Sequence, residues 1–309
     1  MIGVFDRLGF ERHRKRFRPA DLDVRLEGRA CLVTGASAGI GRATSRALAD
    51  RGAHVFLLCR HAGRGEEARD AIRRETGNPR VDLCLLDVSD LGAVRRAAGE
   101  LRLPAVHVLV HNAGVLPDHR ILTADGLELT FATHVAGPHL LTALLAARLR
   151  AGRARVVWVA SGGMYLQRLS LDDLRWERRR YDGVVAYAQT KRMQVVLASR
   201  WAMRFAGSGV EVHSMHPGWA DTGAVRTSLP RFHRVMEPLL RDAEGGADTV
   251  IWLAVNPRLP GPSGSFWFDR RRRWAHLLPW TAEWPGEAER LARLCDELTA
   301  APAASAGQG

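Results

Sequence analysis

Arg29-Ala30-Cys31-Leu32-Val33 leads into Thr34-Gly35-Ala36-Ser37-Ala38-Gly39-Ile40-Gly41, and then into Arg42-Ala43-Thr44-Ser45-Arg46-Ala47-Leu48-Ala49. The first segment is a short apolar run of strand type, the second a glycine-rich turn, and the third reads as a helix. Strand, glycine turn and helix in that order form a site for a pyrophosphate. Glycines let the backbone turn tightly and approach the phosphates, whose charge is met by the free N–H groups of the helix start. The spacing, Gly-x-x-x-Gly-x-Gly, differs from the common Gly-x-Gly-x-x-Gly, so the flanking strand and helix carry the reading.

Outward from this turn the chain alternates. Apolar strand-like runs at 29–34, 53–59, 81–86, 106–111, 155–160 and 210–215 are separated by helical stretches at 40–51, 65–76, 90–101, 126–149 and 184–205. That alternation predicts a single doubly wound α/β domain of Rossmann type, with a parallel sheet covered by helices on both faces. Its 309 residues, 46% of them hydrophobic, suffice for one large core. The expected organisation is a basic leader over 1–24, the domain over 25–298 and a disordered tail over 299–309.

The second strand, Ala53-His54-Val55-Phe56-Leu57-Leu58-Cys59, ends at Arg60. An NAD enzyme usually carries an acid here, roughly 20 residues past the turn, to hold the ribose 2′-hydroxyl. Arg60, with Arg42 and Arg64 nearby, instead suits a 2′-phosphate, because guanidinium bonds phosphate with charge assistance. NADP(H) is therefore expected over NAD(H).

Tyr187 and Lys191 stand four residues apart in a chain that has 3 tyrosines and, besides Lys191, only Lys15 as a lysine. On a helix such positions share one face, with Cβ atoms about 6 Å apart. An ammonium there is expected to stabilise phenolate and lower a phenol pKa of roughly 10 toward the range of a working acid or base.

These pieces together resemble the short-chain dehydrogenase/reductase family over about residues 20–285. Thr34, Gly35, Ser37, Gly39, Ile40 and Gly41 match its nucleotide turn. Asp87 and Val88 match the pair beside the adenine ring, and Asn112, Ala113 and Gly114 its Asn-Ala-Gly. Ser161 matches the catalytic serine, Tyr187 and Lys191 the catalytic pair, and Pro217 and Gly218 the turn beside the nicotinamide. Local runs such as Ser161-Gly162-Gly163-Met164 and Ser214-Met215-His216-Pro217-Gly218-Trp219-Ala220-Asp221-Thr222 resemble one subgroup still more closely.

The resemblance implies carbonyl–alcohol interconversion with NADP(H), Tyr187 as acid/base, Ser161 on the reacting oxygen, and Lys191 on Tyr187 and the nicotinamide ribose. It also implies a homo-oligomer. A non-catalytic NADP-binding regulator is the alternative. Where many members carry a catalytic asparagine, this chain has His134, read here as a candidate proton relay. From Ser161 to Tyr187 the numbering advances by 26, more than is common in the family. The insert from Met164 to Tyr181 is expected to be a lid or wall over an apolar (lipid-, steroid- or aromatic-like) substrate. The segment after Trp219, with Val225, Leu229, Phe232, Val235 and Met236, is expected to be a mobile substrate loop.

The net charge of +12 raises nucleic acid as a partner, but the arginine runs are scattered and no nucleic-acid signature accompanies them. None is expected. The leader mixes apolar and cationic residues without a signal-peptide core, which points to peripheral contact with an anionic membrane. The four cysteines, Cys31, Cys59, Cys84 and Cys295, lack metal-ligand spacing and read as reduced and structural, in keeping with a cytoplasmic protein.

Overall fold

The structure is a computed structural model that describes residues 3–221, 234 and 236–300. Strands β1 (Ala30–Thr34), β2 (His54–Cys59), β3 (Val81–Leu85), β4 (Val108–His111), β5 (Arg155–Val159) and β6 (Glu211–Met215) lie where the apolar runs place them. Two more follow, β7 (Phe266–Phe268) and β8 (Arg271–Arg273). The sheet order is β3-β2-β1-β4-β5-β6-β7-β8, parallel throughout except for the β7–β8 hairpin. Asp269 and Arg270 make that hairpin turn with φ of 48° and 54°, the left-handed pair that matches strand twist.

Strands buried on both faces need cover on both. Leu32 and Leu58 face one layer with α4 (Leu91–Glu100), α6 (Gly137–Leu144), α8 (Gly183–Arg204) and a C-terminal helix, Glu287–Thr299. Cys31, Val33, Val55 and Leu57 face the other, with α2 (Gly39–Asp50), α3 (Ala62–Thr76) and the helix Ala243–Val255. The alternation along each strand is the period-2 pattern of a pleated backbone. Because β1 neighbours both β2 and β4, chain order reverses there, and a crevice opens at the carboxyl ends of β1 and β4.

Three expectations are corrected. The helix expected over 126–149 is broken. Gly126, at φ 70°, closes a turn held by Leu129 N–H donating to the Ile121 carbonyl. Helix α5 (Leu129–Phe131) starts only where the Glu128 carboxylate caps the Thr130 and Phe131 N–H groups. A π-helical turn, Ala132–Ala136, then precedes α6 and α7 (Ala146–Ala151).

The leader is also no separate arm. Its helix α1 (Arg7–Arg14), capped by Asp6, docks on the domain with Phe5 and Phe10 buried. The buried Arg241 fastens it, donating from Nε to the Phe5 carbonyl at 3.0 Å while pairing with the equally buried Asp269 at 2.6 Å. His13 Nδ1 reaches the same carboxylate at 2.7 Å. Lastly, Thr299 belongs to the last helix rather than to a tail, and is buried; 301–309 lie outside the described residues.

Candidate active site

The glycine turn is built from contacts that tolerate no side chain. Gly35 has φ 65°, and a Cβ there would stand 2.9 Å from the Ala113 Cα. A Cβ on Gly41 would meet the Gly35 carbonyl oxygen at 2.3 Å and Asn112 Nδ2 at 2.5 Å. Thr34 Oγ1 donates to the Val110 carbonyl and accepts from the Asn112 and Ala113 N–H groups at 2.9 and 3.0 Å. Asn112 Nδ2 returns a bond to the Thr34 carbonyl at 3.0 Å. The two strands at the crevice are thus stitched together by the residues the sequence marked there.

Helix α2 starts at Gly39, and Ala38 offers no side-chain cap, so its first N–H groups stay open to an anion. A cleft of about 180 Å³ spreads beside them, lined by Thr34, Gly35, Ser37, Arg60, Arg64, Asp87, Val88, Ala113 and Gly114. This lining suits a nucleotide, and Arg60 and Arg64 bring positive charge to it. Arg42 is not among the lining residues; it pairs with Glu75 on α3.

Ser161 follows β5 and heads a short 3₁₀ helix, Gly162–Leu166. Helix α8, capped by the Asp182 carboxylate on the Val184 and Val185 N–H groups, carries Tyr187 and Lys191. Three groups meet there. The Ser161 hydroxyl is near enough to Tyr187 to act on its pKa, and Lys191 Nζ lies 5.4 Å from the phenol ring centroid. That ammonium is buried, donating to the Val159 carbonyl at 2.9 Å and to Gln194 Oε1 at 3.0 Å.

The electrostatics depart from the sequence reading. Burial raises the Tyr187 pKa, opposed by the Ser161 hydrogen bond, and Lys191 is not what governs it. Lys191 itself is lowered to about 7 by burial. Desolvation penalises whichever form is charged, so in this state the phenol is protonated and the amine is poised near neutrality.

His134 is enclosed by protein groups. Its Nε2 accepts from the Val115 N–H at 3.0 Å, so Nδ1 carries the proton and meets Thr190 Oγ1 at 2.8 Å. Both nitrogens are spent inside the protein. Burial, with the nearby Lys191 charge, holds its pKa well below the usual imidazole value. His134 is a neutral strut between the loop after β4 and α8.

Gly218, at φ 81°, leaves room for Arg241, whose Nε would lie 2.3 Å from an added Cβ. Pro217-Gly218 is therefore backed by the same arginine that fastens the leader, and Trp219 N–H donates to the Phe5 carbonyl. His216 stacks on Phe268 and meets Phe5 edge-on. The insert is packed against the domain. Met164, Tyr165 and Trp176 are buried, and the buried Arg192 donates to the Gln167 and Met164 carbonyls at 3.1 and 2.9 Å. Of the expected substrate loop, Val225, Leu229, Phe232 and Val235 lie outside the described residues.

Sequence reasoning missed Gln194, Arg241, Phe5 and Asp269. Gln194 alone carried a signal, standing one turn from Lys191 on the same helix face.

Known proteins fit this geometry. The short chain dehydrogenase family profile matches residues 29–172. The chain is similar to dehydrogenase/reductase SDR family member 12 of Bos taurus, at 42% identity, covering 95% of this chain and 93% of that one. Retinol dehydrogenase 12 of Homo sapiens is 37% identical, with coverage of 82% and 81%. A crystal structure of an uncharacterized protein from Mycobacterium paratuberculosis superposes with a TM-score of 0.73 at 30% identity, covering 90% of this chain and 96% of that one.

Proposed function

The chain belongs to the short-chain dehydrogenase/reductase family, an NAD(P)-dependent oxidoreductase family, and from that premise we propose a specific reaction. The protein interconverts a carbonyl and an alcohol on an apolar small molecule, with NADP(H) as cofactor and Tyr187 as the acid/base. One observation carries the reading: Lys191 Nζ lies 5.4 Å from the Tyr187 ring and next to Gly114, which lines the glycine-turn cleft.

The open N–H groups of α2 and the Gly35 and Gly41 backbone would hold the pyrophosphate, and Arg60 and Arg64 the 2′-phosphate. The chemistry such a cofactor supplies when bound is hydride transfer to or from a carbonyl carbon. Ser161 donates a hydrogen bond to the substrate oxygen and fixes its position. Tyr187 gives its proton to that oxygen as alkoxide character develops. Lys191, protonated below its midpoint near 7, steadies the phenolate left behind and offers a free N–H to the ribose. In the alcohol-oxidising direction Tyr187 takes the proton instead. The name of the retinol dehydrogenase relative supports an apolar substrate.

NADPH oxidation against a panel of apolar aldehydes and ketones tests the proposal. Turnover that Tyr187→Phe removes supports it; tight NADPH binding without turnover on the whole panel points to the regulator instead.

Two further readings follow from the surface. Arg7, Arg12, Arg14, Lys15, Arg16 and Arg18 all point outward from the docked leader, which supports contact with an anionic bilayer. Because the leader is structural, the fitting test is reversal of these charges and liposome sedimentation, not deletion. Among the described residues no helix is long and apolar enough to cross a membrane. The four cysteines are free, which supports a reducing, cytoplasmic setting.

A further inference from the structure

Gln194 is fully buried in a stretch of α8 whose neighbours Met193, Val195, Val196 and Leu197 pack into the core. A buried amide is costly unless bonded, and an aliphatic residue would fill the same space without that cost. Both ends of this amide are bonded. Its Oε1 accepts from Lys191 Nζ at 3.0 Å, and its Nε2 donates to the His134 carbonyl at 2.9 Å.

That carbonyl lies in the π-helical turn Ala132–Ala136, and π turns recur at functional sites. The His134 ring cannot share the task, since Val115 and Thr190 occupy both its nitrogens. Of the three N–H donors of the ammonium, one goes to Val159 and one to Gln194. Gly114, whose missing Cβ would stand 3.8 Å from Nζ, lines the cleft side.

Building on the dehydrogenase/reductase reading of this site, we propose that Gln194 is a positioning residue that anchors the Lys191 ammonium to the His134 carbonyl and keeps it charged and aimed at Tyr187 and the cleft. The titratable groups facing Lys191 are Tyr187 on its own helix and His134 across from it; among the described residues no carboxylate pairs with it. Two neutral oxygens, from Val159 and Gln194, are therefore what offsets the burial of the charge. Losing the Gln194 oxygen disfavours the ammonium, and replacing it with a carboxylate favours it. The two changes must move the lysine in opposite directions.

The chain makes this measurable, because Lys15 and Lys191 are its only lysines. In full-length protein labelled with ¹³Cε-lysine, two side-chain signals are followed by NMR against pH, and the exposed Lys15 serves as an internal control. In Gln194→Met the Lys191 midpoint is expected to fall by about one pH unit, and in Gln194→Glu to rise by at least about as much. The charge-dependent limb of the kcat profile should move with each, while Lys15 stays fixed. Gln194→Glu preserves size, so its upward shift decides the matter even where Gln194→Met folds poorly. Midpoints equal to wild type within a few tenths of a unit in Gln194→Glu overturn the proposal. Opposed shifts in a protein that turns over no carbonyl would uphold it and remove the functional reading instead.

Discussion

The sheet has two unlike halves. From β1 to β4 the site is made at one strand pair: a strand delivers a turn, the turn starts a helix, and the adjoining strand end braces both. Thr34, Gly35, Gly41 and Asn112 contact one another across a single strand pair. From β5 to β8 the site is assembled from distant pieces. Phe5 packs on Phe268 at 5.0 Å between ring centroids, and Arg241 joins the leader to the β7–β8 hairpin. The contacts of the first half lie within one strand pair, and those of the second tie together segments far apart in the chain. The halves should fail differently when mutated.

The largest effect belongs to the chemistry at their junction. Tyr187→Phe should lower kcat by about 10²–10⁴-fold while NADPH affinity, read by fluorescence, stays within about twofold of wild type. In the second half, Asp269→Ala leaves Arg241 buried without its carboxylate and should cost about 3–5 kcal/mol in urea denaturation, loosening the leader as well. In the first half, Arg60→Ala should raise the KM for NADPH roughly tenfold, the worth of one charge-assisted phosphate bond, and leave stability nearly unchanged. An unchanged ratio of NADPH to NADH preference would sharpen the comparison against Arg60 and toward Arg64.

The smallest catalytic effect is expected at His134. His134→Ala strands the Val115 N–H and should cost about 1–3 kcal/mol of stability, without the selective loss of kcat that a relay would show. For pH dependence, the Lys191 pKa is lowered relative to the unfolded chain, so burying it favours the neutral form. Its folded state is therefore penalised at low pH, and the protein should gain stability as pH rises from about 7 toward the unfolded value of about 10.4. Catalysis that needs the ammonium should run the other way and decline above about pH 7. Thermal melts and rate profiles across that range check both signs.

What was legible in the sequence follows the same division. The six parallel strands, the glycine turn and the Ser161, Tyr187 and Lys191 set could be read because each is a local pattern with its own chemistry. The late helix start after Gly126 was missed although Asp125-Gly126 is itself a turn signal, because the helical pattern that follows was extended back over it. The role of His134 could not be read, because the fate of its nitrogens depends on Val115 and Thr190, which no spacing relates to it. Nor could the docking of the leader: its cationic residues pointed to a membrane surface, whereas Phe5 finds Phe268 and Arg241 more than two hundred residues away. The phenol pKa was misjudged for a related reason, since proximity to an ammonium is visible in a sequence and desolvation is not.

The proposed reaction delivers a hydride and a proton to one carbonyl. Incubating the protein with NADPH deuterated at C4 of the nicotinamide and an apolar aldehyde panel, then weighing the alcohols by mass spectrometry, tests it directly. Deuterium on the carbinol carbon with wild type, and none above background with Tyr187→Phe, is the predicted result. Equal labelling by both proteins, or none by wild type that demonstrably binds NADPH, would contradict it.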